Sequence, residues 1–223
     1  MMQIFQYPHS TLNQVSSSWS KDDSIQGYED IEKFEQDYID LMKNNYGMGL
    51  AANQIGITKR FFAIGHESFD TIKNPAIIWN PQLITESEEK VIDVEGCLSF
   101  KGIWLKVERP RTVEVQYETT EGKTKFAKLD GMESKCFQHE LDHLDGITFN
   151  KRVSKLRWDM AKKKSKVLRE VLFDGEAVEE TPAVEEGVLT RDQFFEKVPQ
   201  RPMSAHGIEM WESYLEDPKG FKF

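Results

Sequence analysis

The chain has 223 residues, 39% of them hydrophobic and 30% charged, and a formal net charge of −9. That suits one domain of ordinary size plus an appendage, with enough apolar residues to bury a core. The acidic balance disfavours DNA as the main partner, two cysteines are too few for a secreted disulfide scaffold, and no apolar stretch approaches the roughly 18 residues that span a membrane.

The N-terminus, MMQIFQYPHS, lacks a basic stretch followed by a long apolar run, so no signal peptide is expected. The chain reads as a soluble protein of a reducing compartment. From about Tyr28 to Asn45 the spacing of Ile31, Phe34, Tyr38, Leu41 and Met42 predicts a helix, ended near Gly47. The apolar runs Arg60 to Gly65 and Ala76 to Asn80 read as strands. Trp104 to Arg109, Thr112 to Thr119 and Lys123 to Leu129 read as an antiparallel meander, with Glu121-Gly122 as the last turn. Asp130 and Glu133 predict a capping box, opening a helix that runs to about Asp145 with Gly146 just beyond. A basic helix follows over 154–172, carrying Lys155, Arg157, Lys162, Lys163, Lys164, Lys166 and Arg169.

After residue 173 the composition changes to Glu, Val, Pro and Gly. Residues 174–223 hold twelve acidic and five basic side chains, so −7 of the −9 lies there. The expected organisation is a folded domain over 1–173 and an acidic C-terminal extension over 174–223. Gln193 to Lys197 and Ile208 to Leu215 are candidate short helices within the extension.

The chemical signal is Gln138-His139-Glu140-Leu141-Asp142-His143, an H-E-x-x-H sequence on a predicted helix. Histidines four apart lie on one face, so both imidazoles can reach one metal ion with the Glu beside it. Metzincin proteases add a third histidine three residues past a glycine; here Gly146 is present but Phe149 stands at that place. Cys136 lies seven residues before His143, about 10.5 Å along the axis, too far for a short side chain to share the metal. It reads as a small apolar residue on the same helix. Cys97, in Glu95-Gly96-Cys97-Leu98-Ser99, can arrive from across the fold. Taken alone it is more simply a buried core thiol. A Cys/His/His set, however, leaves the fourth metal position open for water, as catalytic sites do.

Three segments together resemble the motifs of the peptide deformylase family, in order and in approximate spacing. They are Gly47-Met48-Gly49-Leu50-Ala51-Ala52-Asn53-Gln54, Glu95-Gly96-Cys97-Leu98-Ser99, and Gln138-His139-Glu140-Leu141-Asp142-His143. The resemblance covers about Met2 to Leu172. It implies an α+β fold, with antiparallel sheets around a central helix that carries the H-E-x-x-H motif, and a C-terminal helix. It implies an enzyme that removes the formyl group from N-formylmethionine on new polypeptides.

The resemblance also implies site residues. Cys97, His139 and His143 would hold the metal, usually Fe²⁺, with Zn²⁺, Ni²⁺ or Co²⁺ able to substitute. Glu140 would be general base and acid for metal-hydroxide attack, with Gln54 and the Leu98 N–H as oxyanion donors. Met48, Met132 and Cys136 would line the methionine pocket. The peptide would add as a strand near Gly49 and Gly96. Glu95 and Arg109 would form a buried ion pair. Many relatives have a proline soon after the serine of the second motif, where this chain has Phe100-Lys101-Gly102, so the substrate rim should differ.

The expected partner is a formylated nascent chain, with the basic helix 154–172 a candidate ribosome contact. The expected compartment is one where translation starts with formylmethionine. That means a bacterial cytoplasm, that of a virus-infected bacterium or, as a lesser alternative, an organelle. Two other readings carry weight: a metalloprotease built on H-E-x-x-H, and a binding module that keeps the fold without the chemistry. The Cys97 motif opposes the first, and the intact Cys97, Glu140, Gln54 and both histidines oppose the second.

Overall fold

A computed structural model describes residues 2–25 and 27–172, the side chains of 166–172 excepted. The expectations for 174–223 lie outside the described residues. The chain divides into two units after Trp158, and the site described below lies wholly in the first.

Helix α1 spans Ile31–Asn44, and the Asp30 carboxylate accepts from the Glu32 N–H at its start. Its buried residues Phe34, Tyr38 and Met42 recur every fourth position, the spacing that puts side chains on one stripe. Strands β1 (Gly49–Ala51), β2 (Phe61–Ile64) and β3 (Ala76–Glu86) follow, then β4 (Lys90–Glu95), β5 (Leu105–Pro110), β6 (Thr112–Glu118) and β7 (Thr124–Asp130). Helix α2 is Gly131–Leu144 and helix α3 is Lys155–Leu172.

A five-stranded antiparallel sheet has the order β1-β2-β3-β6-β7. Every residue of β2 is buried. The sequence shows why it reads as an unbroken apolar run: Phe61 packs on Phe34 and Tyr38 of α1, while Phe62 turns the other way onto Phe137 of α2. Helices cover both faces of this strand, so neither face needs polar residues. The α+β architecture is the one anticipated.

Three details differ from the expectation. First, β3 continues six residues past Asn80. Pro81 would normally stop a strand, but the pairing with β6 slips between Trp79 and Gln82. That bulge takes up the proline and the positive φ of Asn80. Second, there is no three-strand meander: β6 and β7 form the expected hairpin, with Gly122 at positive φ in its turn. β5 instead pairs with β4 in a separate two-stranded sheet. Third, Asp130 sits at the start of α2 without capping it through its side chain. Its carboxylate accepts from Thr112 and Arg111, and Glu133 accepts from the backbone of Thr71 and Ile72. Tertiary donors have outcompeted the local box.

Candidate metal centre

Three pieces of chain meet at one end of α2. The β4–β5 sheet ends β4 at Glu95, so Cys97 sits two residues beyond a fixed strand end. Helix α2 supplies His139, Glu140 and His143. The first motif is tied down twice: the Tyr38 hydroxyl donates to the Leu50 carbonyl at 2.5 Å, and the Asn53 amide donates to the His143 carbonyl.

Ligand atoms of Cys97, His139 and His143 all lie within 4.8 Å of one another. Cys97 Sγ is 3.2 Å from His143 Nε2. His139 Nδ1 faces Glu95 Oε2 at 3.0 Å, which leaves its Nε2 for the cluster. One soft thiol and two imidazoles suit Fe²⁺, Zn²⁺, Ni²⁺ or Co²⁺ better than Mg²⁺ or Ca²⁺. Glu140, whose charge is coupled to that of His139, has its buried Oε2 without a hydrogen-bond partner among the described residues, which marks room for a further group. The donor set therefore fits a transition-metal ion.

The electrostatics separate the titrating groups. Burial pushes the Glu140 carboxyl up to about 7, with His139 opposing and Glu95 adding to the rise. Burial also works against charge on Glu95, but hydrogen bonds from His139 and Arg109 outweigh it and hold that carboxyl down to about 2. Burial likewise resists an imidazolium at His139, yet the Cys97 and Glu95 contacts win and raise it well above the usual value. His143 falls well below it, through burial and the neighbouring His139 and Arg109.

The expected Glu95–Arg109 ion pair is present and bidentate, with Nε to Oε1 at 2.5 Å and Nη2 to Oε2 at 3.0 Å. Gln54 is buried. Its carbonyl accepts from the Ala51 N–H at 2.8 Å, which turns its amide nitrogen toward Ser99 Oγ (3.0 Å) and Cys97 Sγ (3.5 Å). Gly49 lies against Glu140: a Cβ built there would be 2.5 Å from Oε1. Gly96 lies equally close under the indole of Trp104, which is 59% exposed. Met132, Cys136 and Glu140 recur at four-residue spacing on α2. Met132 is 49% exposed, Cys136 is partly buried with its thiol pK raised by burial, and Met48 packs against the core.

Phe149 is buried with its ring 5.7 Å from that of His139, so it walls the site where a metzincin would place a ligand. Phe100 turns inward onto Tyr7, Phe149 and Trp158. The sequence reading missed Ser99, Asp142 and Arg152. Ser99 and Asp142 lay within quoted motifs, but nothing in their spacing separates them from filler; Arg152 carries no local signal.

A thiol and two imidazoles beside a buried carboxylate, on a helix packed between antiparallel sheets, define a candidate mononuclear metallohydrolase. A family model described as polypeptide deformylase matches residues 1–158. A peptide deformylase of Rhizobium meliloti is 37% identical over 153 residues, covering 69% of this chain and 85% of that one. Among solved structures, a peptide deformylase from Synechococcus elongatus in complex with actinonin superposes with a TM-score of 0.66 at 32% identity, covering 73% of this chain and 86% of the other. A probable peptide deformylase from Synechococcus phage S-SSM7 gives 0.61 at 32% identity, covering 69% and 100%. The chain belongs to the polypeptide deformylase family and is an enzyme of it.

Proposed function

We propose that this enzyme removes the formyl group from N-formylmethionine at the start of newly made polypeptides, releasing formate. The observation that carries the reading is the convergence of Cys97, His139 and His143 within 4.8 Å, beside the buried Glu140. Cys97, His139 and His143 would hold a divalent ion, which would supply a Lewis acid and lower the pKa of water toward neutral pH. Fe²⁺ is the expected ion, with Zn²⁺, Ni²⁺ or Co²⁺ able to replace it.

Glu140 takes the proton of the attacking water and later delivers it to the leaving amine. Burial raises this carboxyl in the metal-free protein, and a dication held beside it would draw it back toward the charged form that accepts the water's proton. The Gln54 amide, aimed at Cys97 by the Ala51 N–H, and the Leu98 N–H donate to the oxygen that becomes negative as the carbonyl is attacked. Met48, Met132 and Cys136 receive the methionine side chain, and the peptide backbone runs as an added strand past Gly49 and Gly96. The catalytic domain is 1–173, and 174–223 is an acidic extension. The basic helix 154–172 is a surface for ribosomal RNA, with Lys155 and Arg157 exposed at its start. The working compartment is the cytoplasm of a bacterium or of a virus-infected bacterium. No helix among the described residues is long and apolar enough to cross a membrane.

The test uses metal-loaded protein with three peptides: one formylmethionyl, one with a free amine, and one blocked by acetyl. Formate from the first with the other two untouched is the expected outcome. Cleavage at internal bonds would favour a protease, and metal-bound protein that releases nothing would favour a binding module.

A further inference from the structure

We propose that Arg152 is a positioning residue for the metal ligand His139, acting through Asp142, Arg109 and Glu95. The inference rests on the reading of Cys97, His139 and His143 as a metal centre. Its basis is an unbroken chain of alternating charge that begins near the surface and ends on Nδ1 of His139, the ring nitrogen opposite the one left for the metal. Arg152 grips Asp142 with two nitrogens: Nε donates to Oδ2 at 2.9 Å and Nη2 donates to Oδ1. Asp142 Oδ2 also accepts from Arg109 Nη1 at 2.9 Å. Arg109 spends its other two nitrogens on Glu95, and Glu95 Oε2 meets His139 Nδ1 at 3.0 Å.

All three nitrogens of Arg109 are therefore committed, and its plane is fixed from both ends. Glu95 orients His139 only as well as Arg109 orients Glu95. Arg109 in turn is stopped from rotating by Asp142, and Asp142 is held on its far side by Arg152. The Asp142 side chain is 9% exposed and that of Arg152 is 44% exposed, so the chain reaches solvent only at its last member. An ordinary surface ion pair contributes little. This one is a two-pronged grip on a buried carboxylate, a geometry that arginine supplies and lysine does not.

The local fold supports the same role. Arg152 ends the short 3-10 turn Phe149–Arg152, and Phe149, at the other end of that turn, packs its ring beside His139. One turn thus touches the ligand twice, directly through Phe149 and indirectly through the charge chain.

Charge and geometry predict opposite results for the metal. Removing a cation near a bound dication, by charge alone, would tighten binding. Loosening the orientation of His139 would weaken it. The experiment compares full-length Arg152→Lys and Arg152→Gln with the natural protein and with Arg111→Ala, which removes an exposed arginine paired to Glu89 and Asp130. Metal-free protein is titrated with Co²⁺ against a competing chelator, and the visible absorption of the Co²⁺ form is recorded.

Both Arg152 variants should weaken Co²⁺ binding by about 3- to 10-fold, below the roughly 10- to 100-fold typical of groups that touch a ligand directly. Both should also change the Co²⁺ bands, and Arg111→Ala should change neither. Wild-type affinity and spectrum in Arg152→Lys would overturn the proposal, because charge would then suffice; so would tighter binding in Arg152→Gln. Lowered melting temperature of the metal-free variants with unchanged Co²⁺ affinity would also overturn it, leaving only a structural role. Failure of the natural protein to bind Co²⁺ would overturn the metal-centre reading and this inference with it.

Discussion

Replacing Gly49 by alanine is the sharpest perturbation of the site that leaves its ligands alone. No positive φ holds position 49, so the backbone accepts alanine. The added Cβ would lie 2.5 Å from Glu140 Oε1, 2.7 Å from Cγ and 2.8 Å from Cδ. Ordinary contact begins near 3.4 Å, so the carboxylate has to retreat by about 1 Å. All three nearest atoms belong to Glu140 and none to Cys97, His139 or His143. The closest strain therefore falls on the Glu140 side chain rather than on the proposed metal ligands. A misplacement of about 1 Å in a catalytic group costs about 100-fold in rate, equivalent to about 2.7 kcal/mol of barrier. The assay is kcat/KM for formate release from a formylmethionyl peptide, measured beside metal content and melting temperature. Gly49→Ala should lose about 100-fold in kcat/KM with full metal occupancy. Wild-type kcat/KM would refute the reasoning, as would a loss that merely tracks lost metal.

Other outcomes follow from the buried charges and the basic helix. Arg109→Ala strips both Glu95 and Asp142 of a partner in the interior and should cost about 3–5 kcal/mol of stability by denaturant unfolding. Glu95 is depressed from 4.5 to about 2. Its contribution, about 3 kcal/mol for the metal-free protein, is complete above pH 4.5 and is lost as pH falls toward 2. An acid-unfolding curve of Glu95→Gln that kept this component would contradict the assignment. If α3 is a ribosome contact, the full chain and a version ending at Phe173 should both co-sediment with ribosomes at low salt and dissociate as salt rises; equal failure of both would end that idea.

Much of the site was readable because its chemistry is local. His139, Glu140 and His143 lie within five residues, and helical spacing alone puts them together. Gln54 and Leu98 were reached only through the resemblance, and Cys97 stood as one candidate beside a core thiol until the resemblance singled it out, since nothing about a lone thiol or amide says what it faces across the fold. Pairing partners were harder. β5 has the alternation of a strand, but alternation does not say which strand it joins, and β4 lies across the loop that carries Cys97. Asp130 and Glu133 match a capping box locally, while Thr112, Thr71 and Ile72 offered partners that sequence adjacency could not reveal. Pro81 argued for a strand end, and the bulge at Asn80 removed that argument. Asp142 lies between the two histidines of its motif, and nothing in the sequence singles it out. Its role becomes visible only when Arg109 from β5 and Arg152 from the turn after α2 are seen to meet on it.

The most direct test of the central claim is formate release by anaerobically Fe²⁺-loaded protein acting on a short formylmethionyl peptide, with Glu140→Ala measured in parallel. The account predicts rapid release by the natural chain and near-complete loss in the variant, with one metal ion still bound in each. Release that survives Glu140→Ala, or no release from natural protein carrying its metal, would contradict it.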